Sequence, residues 1–275
     1  MRFSLSLTQY SWPGGPQALA TQLAEVGRAA DEAGLDTLWV ADHLIQADPT
    51  AVPDSEMLEA YTTLGFLAAR TRRIRIGAMV TPVTFRPPSL LIKAVTTLDV
   101  LSGGRAWLGL GAGYHDEEAR RMDLPFPPTR ERFERLEEAL RRALEMWQGD
   151  SASNPPPLTE PHPPILIGGM GERRTLRLVA QYADACNLFD IPDEGATIRR
   201  KLDVLARHCE AVGRPYEAIE KTVSTRLEPG EPAEAFAERC AALAALGIEH
   251  AVVITPAPWT ADAVAVLGAA QALSS

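Results

Sequence analysis

Apolar and polar positions along this chain alternate between two rhythms. Short apolar runs that suit strands give way to longer stretches whose apolar residues recur every three or four positions, as in helices with one buried face. The first strand is predicted over Phe3–Thr8 and the first helix over Pro16–Ala33. In that helix Leu19, Leu23, Val26 and Ala30 form the stripe, and Gly34 supplies the stop. Further strands are expected at Asp36–Ala41, Ile74–Val80, Ala106–Leu110, Pro164–Ile167, Ala185–Leu188, Ile219–Thr225 and Ala251–Ile254. Helices are expected between and after them at Glu56–Ala69, Ser89–Leu101, Arg130–Trp147, Thr175–Tyr182, Thr197–Val212, Ala233–Leu246 and Ala261–Ala272.

These are eight strand–helix units in 275 residues, close to the ~250 residues typical of a (β/α)8 barrel. Apolar strands followed by amphipathic helices fit a parallel sheet covered by helices. The expected fold class is therefore α/β, a single TIM-barrel domain over 1–275, with a doubly wound open sheet as the rival topology.

Composition removes several alternatives. With 46% hydrophobic and 23% charged residues the chain can build a large core, so disorder is a poor reading. No stretch approaches the ~20 apolar residues that cross a bilayer. Met1–Thr8 reads as a strand and not as a signal peptide. A net charge of −9 opposes nucleic acid and anionic membranes. The arginines over 130–142 interleave with Glu131, Glu134, Glu137 and Glu138, the pattern of a solvated helix face. Cys186, Cys209 and Cys240 form no CxxC and no disulfide framework, which points to a reducing compartment and hence the cytoplasm.

In a (β/α)8 barrel the chemistry sits at the C-terminal ends of the strands. Strand two ends in Asp42-His43, and a histidine there can hold or exchange a proton with a bound ring or substrate. A core histidine satisfied by a neighbour is the alternative. A metal-dependent hydrolase or lyase using Asp42, His43 and His115 is a rival, but strand one offers Leu5-Ser6-Leu7-Thr8 in place of a paired-histidine motif, so no metal site is expected. Strand five ends in Gly168-Gly169-Met170-Gly171, which suits close approach of backbone N–H groups to a phosphate at a helix start, with Arg173 as a possible assistant. Gly109-x-Gly111-x-Gly113 follows strand four and not strand one, which argues against a Rossmann fingerprint. Trp12, Trp39 and Phe85 are candidate walls for a ring or substrate, or simply core.

Three runs together are more specific than any of these motifs. Leu38 to His43, Arg70 to Glu118 and Pro163 to Phe189, in this order and spacing, resemble the luciferase-like monooxygenase family, and within it the branch that uses the deazaflavin coenzyme F420. The resemblance implies an oxidoreductase that transfers hydride to or from a small organic substrate, with an FMN-dependent monooxygenase or a non-catalytic cofactor-binding member as alternatives. It implies His43 and Asp42 as catalytic residues facing the cofactor, and Gly168, Gly169, Met170 and Gly171 as its phosphate loop. Met79, Val80 and Thr81 match a bulge with a non-prolyl cis peptide behind the ring, and Gly111, Ala112 and Gly113 let the chain pass close to it. Tyr114 departs from the pattern, because one sugar-phosphate dehydrogenase of the branch carries a proposed glutamate acid there; Tyr114 or His115 is the candidate substitute. The Pro/Ser-rich stretch at 148–163 is shorter than the family's insertion, which is expected to leave the pocket more open. A homodimer is implied by the resemblance alone.

Overall fold

The computed structural model describes residues 1–48, 51–52, 54–149 and 153–274. The chain runs β1 (Arg2–Leu7), α1 (Leu19–Glu32), β2 (Thr37–Val40), α2 (Ala60–Arg70), β3 (Arg75–Ala78), β4 (Thr81–Pro82), α3 (Pro88–Ser102) and β5 (Ala106–Gly111). It continues α4 (Asp116–Arg121), α5 (Thr129–Trp147), β6 (Ile165–Gly168), α6 (Thr175–Tyr182), β7 (Ala185–Phe189), α7 (Ala196–Val212), β8 (Glu220–Arg226), α8 (Ala233–Ala245), β9 (His250–Ile254) and α9 (Ala261–Leu273). Every strand pairing is parallel. The order runs β3-β2-β1-β9-β8-β7-β6-β5, and pairing of Ile76 with Ala106 and of Gly77 with Trp107 closes the circle. The fold is thus the (β/α)8 barrel, and the open-sheet rival is excluded.

Nine strands make eight staves because the third stave is interrupted. It was expected as one strand over Ile74–Val80, but β3 ends at Ala78 and the line resumes as β4, where Thr81 pairs with Leu110 and Pro82 with Gly111. The peptide between Met79 and Val80 is cis. Two other departures are local. The first helix begins as a 3-10 turn over Gly15–Gln17, and α4 is an extra helix that its few apolar residues did not announce.

Two cores form. The larger lies between the staves and the helices, and a small one of Trp39, Trp107, Leu166, Ala185 and Val252 fills the barrel itself. The two indoles meet at 5.6 Å between centroids, and Trp39 Nε1 donates to Ser4 Oγ at 3.1 Å. Trp39 is therefore barrel filling and no wall of the pocket. Trp12 lines no pocket wall either: it is buried in the larger core, with its Nε1 donating to the Trp259 carbonyl at 2.7 Å. At the N-terminal end of the staves, His250 Nδ1 lies 2.6 Å from Glu220 and its Nε2 lies 2.9 Å from Ser4 Oγ. Arg2 bridges Glu220 and Asp36, and Arg75 also pairs with Asp36. Indoles and ion pairs thus plug this end.

The stretch 148–163 lies at that same plugged end. As a connection from α5 to β6 it precedes a stave, and Asp99 near the end of α3 accepts from the N–H groups of Leu158 and Thr159 at 2.7 and 3.0 Å. None of its described residues lines the cavity below; its positions 150–152 fall outside the described residues.

The interrupted stave needs space that only missing side chains provide. A Cβ on Gly109 would sit 1.9 Å from the Ala78 carbonyl oxygen, and one on Gly111 would sit 2.8 Å from Val80 Cγ2. Gly109→Ala is therefore expected to destabilise by at least the ~1–3 kcal/mol of an overpacked core, or to prevent folding. Gly65→Ala, exposed on α2 with nothing within 4 Å of the added methyl, is expected to stabilise by up to ~1 kcal/mol. Urea unfolding midpoints of the two variants check both signs.

Candidate active site

A cavity of about 1040 Å³ opens at the C-terminal ends of the staves. Its floor carries Ser6, Ala41, Met79, Gly111, Gly168, Asn187, Ser224 and Ile254, residues at or near the ends of successive staves. The bulge forms one side. Val80 lines the cavity, and its side chain is received by glycines on two neighbouring staves: a Cβ on Gly111 or Gly168 would lie within 3.0 Å of it. These two glycines, expected to admit a ligand, make room for Val80 first.

His43 follows β2 and lines the cavity with its side chain 18% exposed. Its Nδ1 lies 2.7 Å from Glu118 Oε2, and the Glu118 side chain is fully buried. The other Glu118 oxygen accepts from the N–H groups of Leu44 and Ile45, at 2.5 and 3.3 Å. Burial alone would push this carboxyl up, but the His43 bond, its charge and the two backbone donors outweigh burial, and the pKa falls below its ordinary value. Glu118 therefore fixes both the imidazole and the loop that carries it. On the far side of the ring, the Tyr114 hydroxyl lies 3.2 Å from Nε2.

Asp42, the neighbour of His43 in sequence, does not share its place on the cavity wall. Its side chain is fully buried, outside the cavity lining, and Arg86 reaches it with two nitrogens at 2.6 and 3.1 Å. Thr81 donates to it at 2.7 Å, and Tyr61 meets the same Thr81 hydroxyl at 3.0 Å. Arg86 also pairs with Glu59, the N-cap of α2, at 2.5 Å and stacks over Tyr61. Burial pushes the Asp42 carboxyl above its ordinary value, and the bonds from Arg86 and Thr81 offset part of that. The expectation that Asp42 faces a cofactor is not met: a carboxylate this buried must be paired, and Arg86 pairs it beneath the site. Thr81 likewise serves Asp42 and lies outside the lining.

The glycine loop after β6 is split in the same way. Gly168 and Gly169 line the cavity together with Thr175 at the start of α6. Gly169 holds φ at +114°, a backbone shape that favours glycine. Met170 instead turns its sulfur to the Phe189 N–H at 3.4 Å, and Gly171 and Arg173 are exposed and outside the lining. After β5, Gly111, Ala112, Gly113 and Tyr114 all line the cavity. His115 does not, because its Nδ1 accepts from Glu118 N and caps α4. Phe85 is absent from the lining as well.

Several lining residues carried no warning in the sequence. Arg132 projects from α5, whose arginines otherwise pair as expected along the solvated face, Arg130 with Glu134 and Arg135 with Glu131. Arg132 stacks over Phe126 at 4.1 Å, and its buried Nε has no partner. Asn187 and Ser224 hydrogen-bond to each other at 2.8 Å on the floor. Arg239, also in the lining, is held by Glu231, Thr225 and the Arg226 carbonyl. Among the described residues no three His, Cys, Asp or Glu side chains gather as metal ligands, and no helix is long and apolar enough to cross a membrane.

Fold and site together define a (β/α)8 barrel with a cavity at the C-terminal ends of its staves, beside an imidazole backed by a carboxylate. The chain belongs to the luciferase-like monooxygenase family, whose model matches residues 1–271. It is 31% identical over 234 residues to the F420-dependent glucose-6-phosphate dehydrogenase of Kineococcus radiotolerans, a match covering 78% of this chain and 66% of that protein. The chain thus spans about two thirds of the length of that curated relative. Among solved structures it is similar to an F420-dependent secondary alcohol dehydrogenase in complex with an F420-acetone adduct, with TM-score 0.84, 14% identity and coverage of 100% and 99% of the two chains. It is also similar to the coenzyme F420 dependent tetrahydromethanopterin reductase of Methanopyrus kandleri, with TM-score 0.75, 15% identity and 97% of each chain covered. At these identities the likeness to the structures is one of fold.

The Glu118 anchor has a pH signature. A carboxyl whose pKa is lowered in the fold contributes stability above the ordinary glutamate value of 4.5, and that stability is lost as pH falls through the folded value. The stability gap between the wild type and Glu118→Gln is expected to be full near neutral pH and to close on acidification below 4.5. Urea unfolding across that range measures it; a gap that widens in acid contradicts the charge state assigned to Glu118.

Proposed function

We propose that this protein is a coenzyme F420-dependent oxidoreductase that moves hydride to or from a small organic substrate. The observation that carries the reading is the juxtaposition, in one cavity, of the Met79–Val80 bulge and the Glu118-backed imidazole of His43. The residues present fit a flat ring system with a phosphate near it. The cavity is large enough for both. Arg132 brings a buried, unpartnered Nε to its wall, and Thr175 lines the cavity with its hydroxyl at the start of α6, where Gly169 leaves room for close approach. Met79 and Val80 would back the ring, Gly111–Gly113 would border it, and Gly168, Gly169, Thr175 and Arg132 would hold the phosphate. When bound, the deazaflavin supplies the hydride acceptor or donor.

The protein supplies position and proton handling. Glu118 orients the His43 ring and balances positive charge on it, so that Nε2 can take or return a proton at the cavity. Asp42 acts through Arg86 and Thr81 as a positioning residue that ties the end of β2 to the bulge. A cytoplasmic homodimer belongs to the same reading, and light scattering on the purified protein tests the dimer.

Absorbance titration with coenzyme F420 and, separately, with FMN decides the cofactor. Tighter binding of F420 is expected; tighter FMN binding with oxygen consumption overturns the reading in favour of a monooxygenase. With the tighter cofactor and a panel of alcohols and aldehydes, His43→Asn is expected to lower kcat by ~100-fold or more, as loss of a general acid–base does, without loss of cofactor affinity. Unchanged turnover in that variant would instead place this chain among non-catalytic binders.

A further inference from the structure

We propose that Tyr114 is a catalytic residue, the group that exchanges the proton with a hydroxyl or carbonyl oxygen of the substrate, and that His43 and Glu118 form the relay behind it. This rests on the oxidoreductase reading above and goes beyond it in naming the reacting group and the kind of substrate end it serves.

The geometry orders the three groups in a line. Glu118 holds Nδ1 of His43 at 2.7 Å, and its other oxygen is occupied by the Leu44 and Ile45 N–H groups. In the neutral form of the ring, a carboxylate on Nδ1 keeps the proton on that nitrogen and leaves Nε2 with its lone pair. The phenol oxygen of Tyr114 lies 3.2 Å from Nε2, with the two rings edge to face at 5.6 Å. A neutral imidazole in this tautomer can only accept there, so the phenol donates. Both ring nitrogens are then engaged, and a ligand in the cavity meets the phenol oxygen before it meets the imidazole.

Exposure agrees. Tyr114 is 70% exposed and lines the cavity, while the His43 side chain is 18% exposed. An aromatic residue left this open is not there for core packing. Among the described residues the Tyr114 hydroxyl has His43 as its one hydrogen-bond partner. Partial desolvation, and then the negative charges of Glu118 and Asp48, push the phenol above its ordinary pKa, so it stays protonated and able to donate near neutral pH.

When an alcohol is oxidised, the C–H electron pair leaves as hydride to the oxidised deazaflavin. The O–H proton passes to the Tyr114 oxygen as the phenol's own proton passes to His43 Nε2, and the Glu118 carboxylate balances the imidazolium formed. The alcohol loses two electrons and two hydrogens and becomes a carbonyl. Carbonyl reduction runs the same transfers backwards. A neutral phenol at this position suits an uncharged reacting end bearing oxygen.

The first test needs no cofactor. In ¹⁵N-histidine-labelled protein, the His43 resonances are identified by their loss in His43→Gln, and the wild type is compared with Tyr114→Phe across pH. The expected result is a displaced His43 Nε2 signal and a shifted titration midpoint in Tyr114→Phe; superimposable titrations overturn the relay. The second test uses the holoenzyme: Tyr114→Phe is expected to lower kcat by ~100-fold and to reshape its pH profile, with KM changed much less. An unaltered kcat with a raised KM makes Tyr114 a mere wall and overturns the proposal. Absence of F420 binding alongside the spectral shift would defeat the cofactor reading and not the relay, so the two failures are distinguishable.

Discussion

One steric fit holds the site in place: the side chain of Val80 against the bare backbones of Gly111 and Gly168. The third stave has to leave the regular ladder after Ala78 and rejoin it at Thr81. The displaced residues then stand over the barrel's interior, and the neighbouring staves can receive them only where they carry no side chains. Gly109 answers the same need on the backbone side, against the Ala78 carbonyl. Because protein interiors are close-packed, such a fit has little slack. The bulge, two neighbouring staves and the cavity floor are therefore one mechanical unit.

Two buried carboxylates flank that unit and do different work. Asp42 faces Arg86 and Thr81, so it links the end of β2 to the resumed third stave and, through Arg86, to the cap of α2. Glu118 comes from the far side, on α4, and reaches across to His43 and the two backbone donors that follow it. The loop after β2 is thus held from both ends by charge. Each carboxylate would be costly if left unpaired in the interior, which is why both loops must be in place together.

The strands and helices were legible because their apolar spacing is strong, and the eight-unit count followed from them. The break in the third stave was not legible from spacing, since Met79, Val80 and Thr81 read as ordinary strand residues; only the resemblance pointed to it. His43 was legible as the polar end of an apolar strand. Its partner was not: Glu118 sits in the acidic run 116–118, which reads equally as charge favouring a helix start. The pairing of Asp42 with Arg86 was hidden because the two lie 44 positions apart, and an adjacent Asp-His looks like one functional pair. Arg132 was masked by the regular charge alternation of α5. The end of the barrel that the described residues of 148–163 join was not read from their composition; the strand that follows them tells it.

The plug of Trp39, Trp107 and the ion pairs around Asp36, Glu220 and His250 makes the barrel a vessel with a single mouth. Whatever occupies the depth of such a vessel must arrive before, and depart after, whatever lies above it.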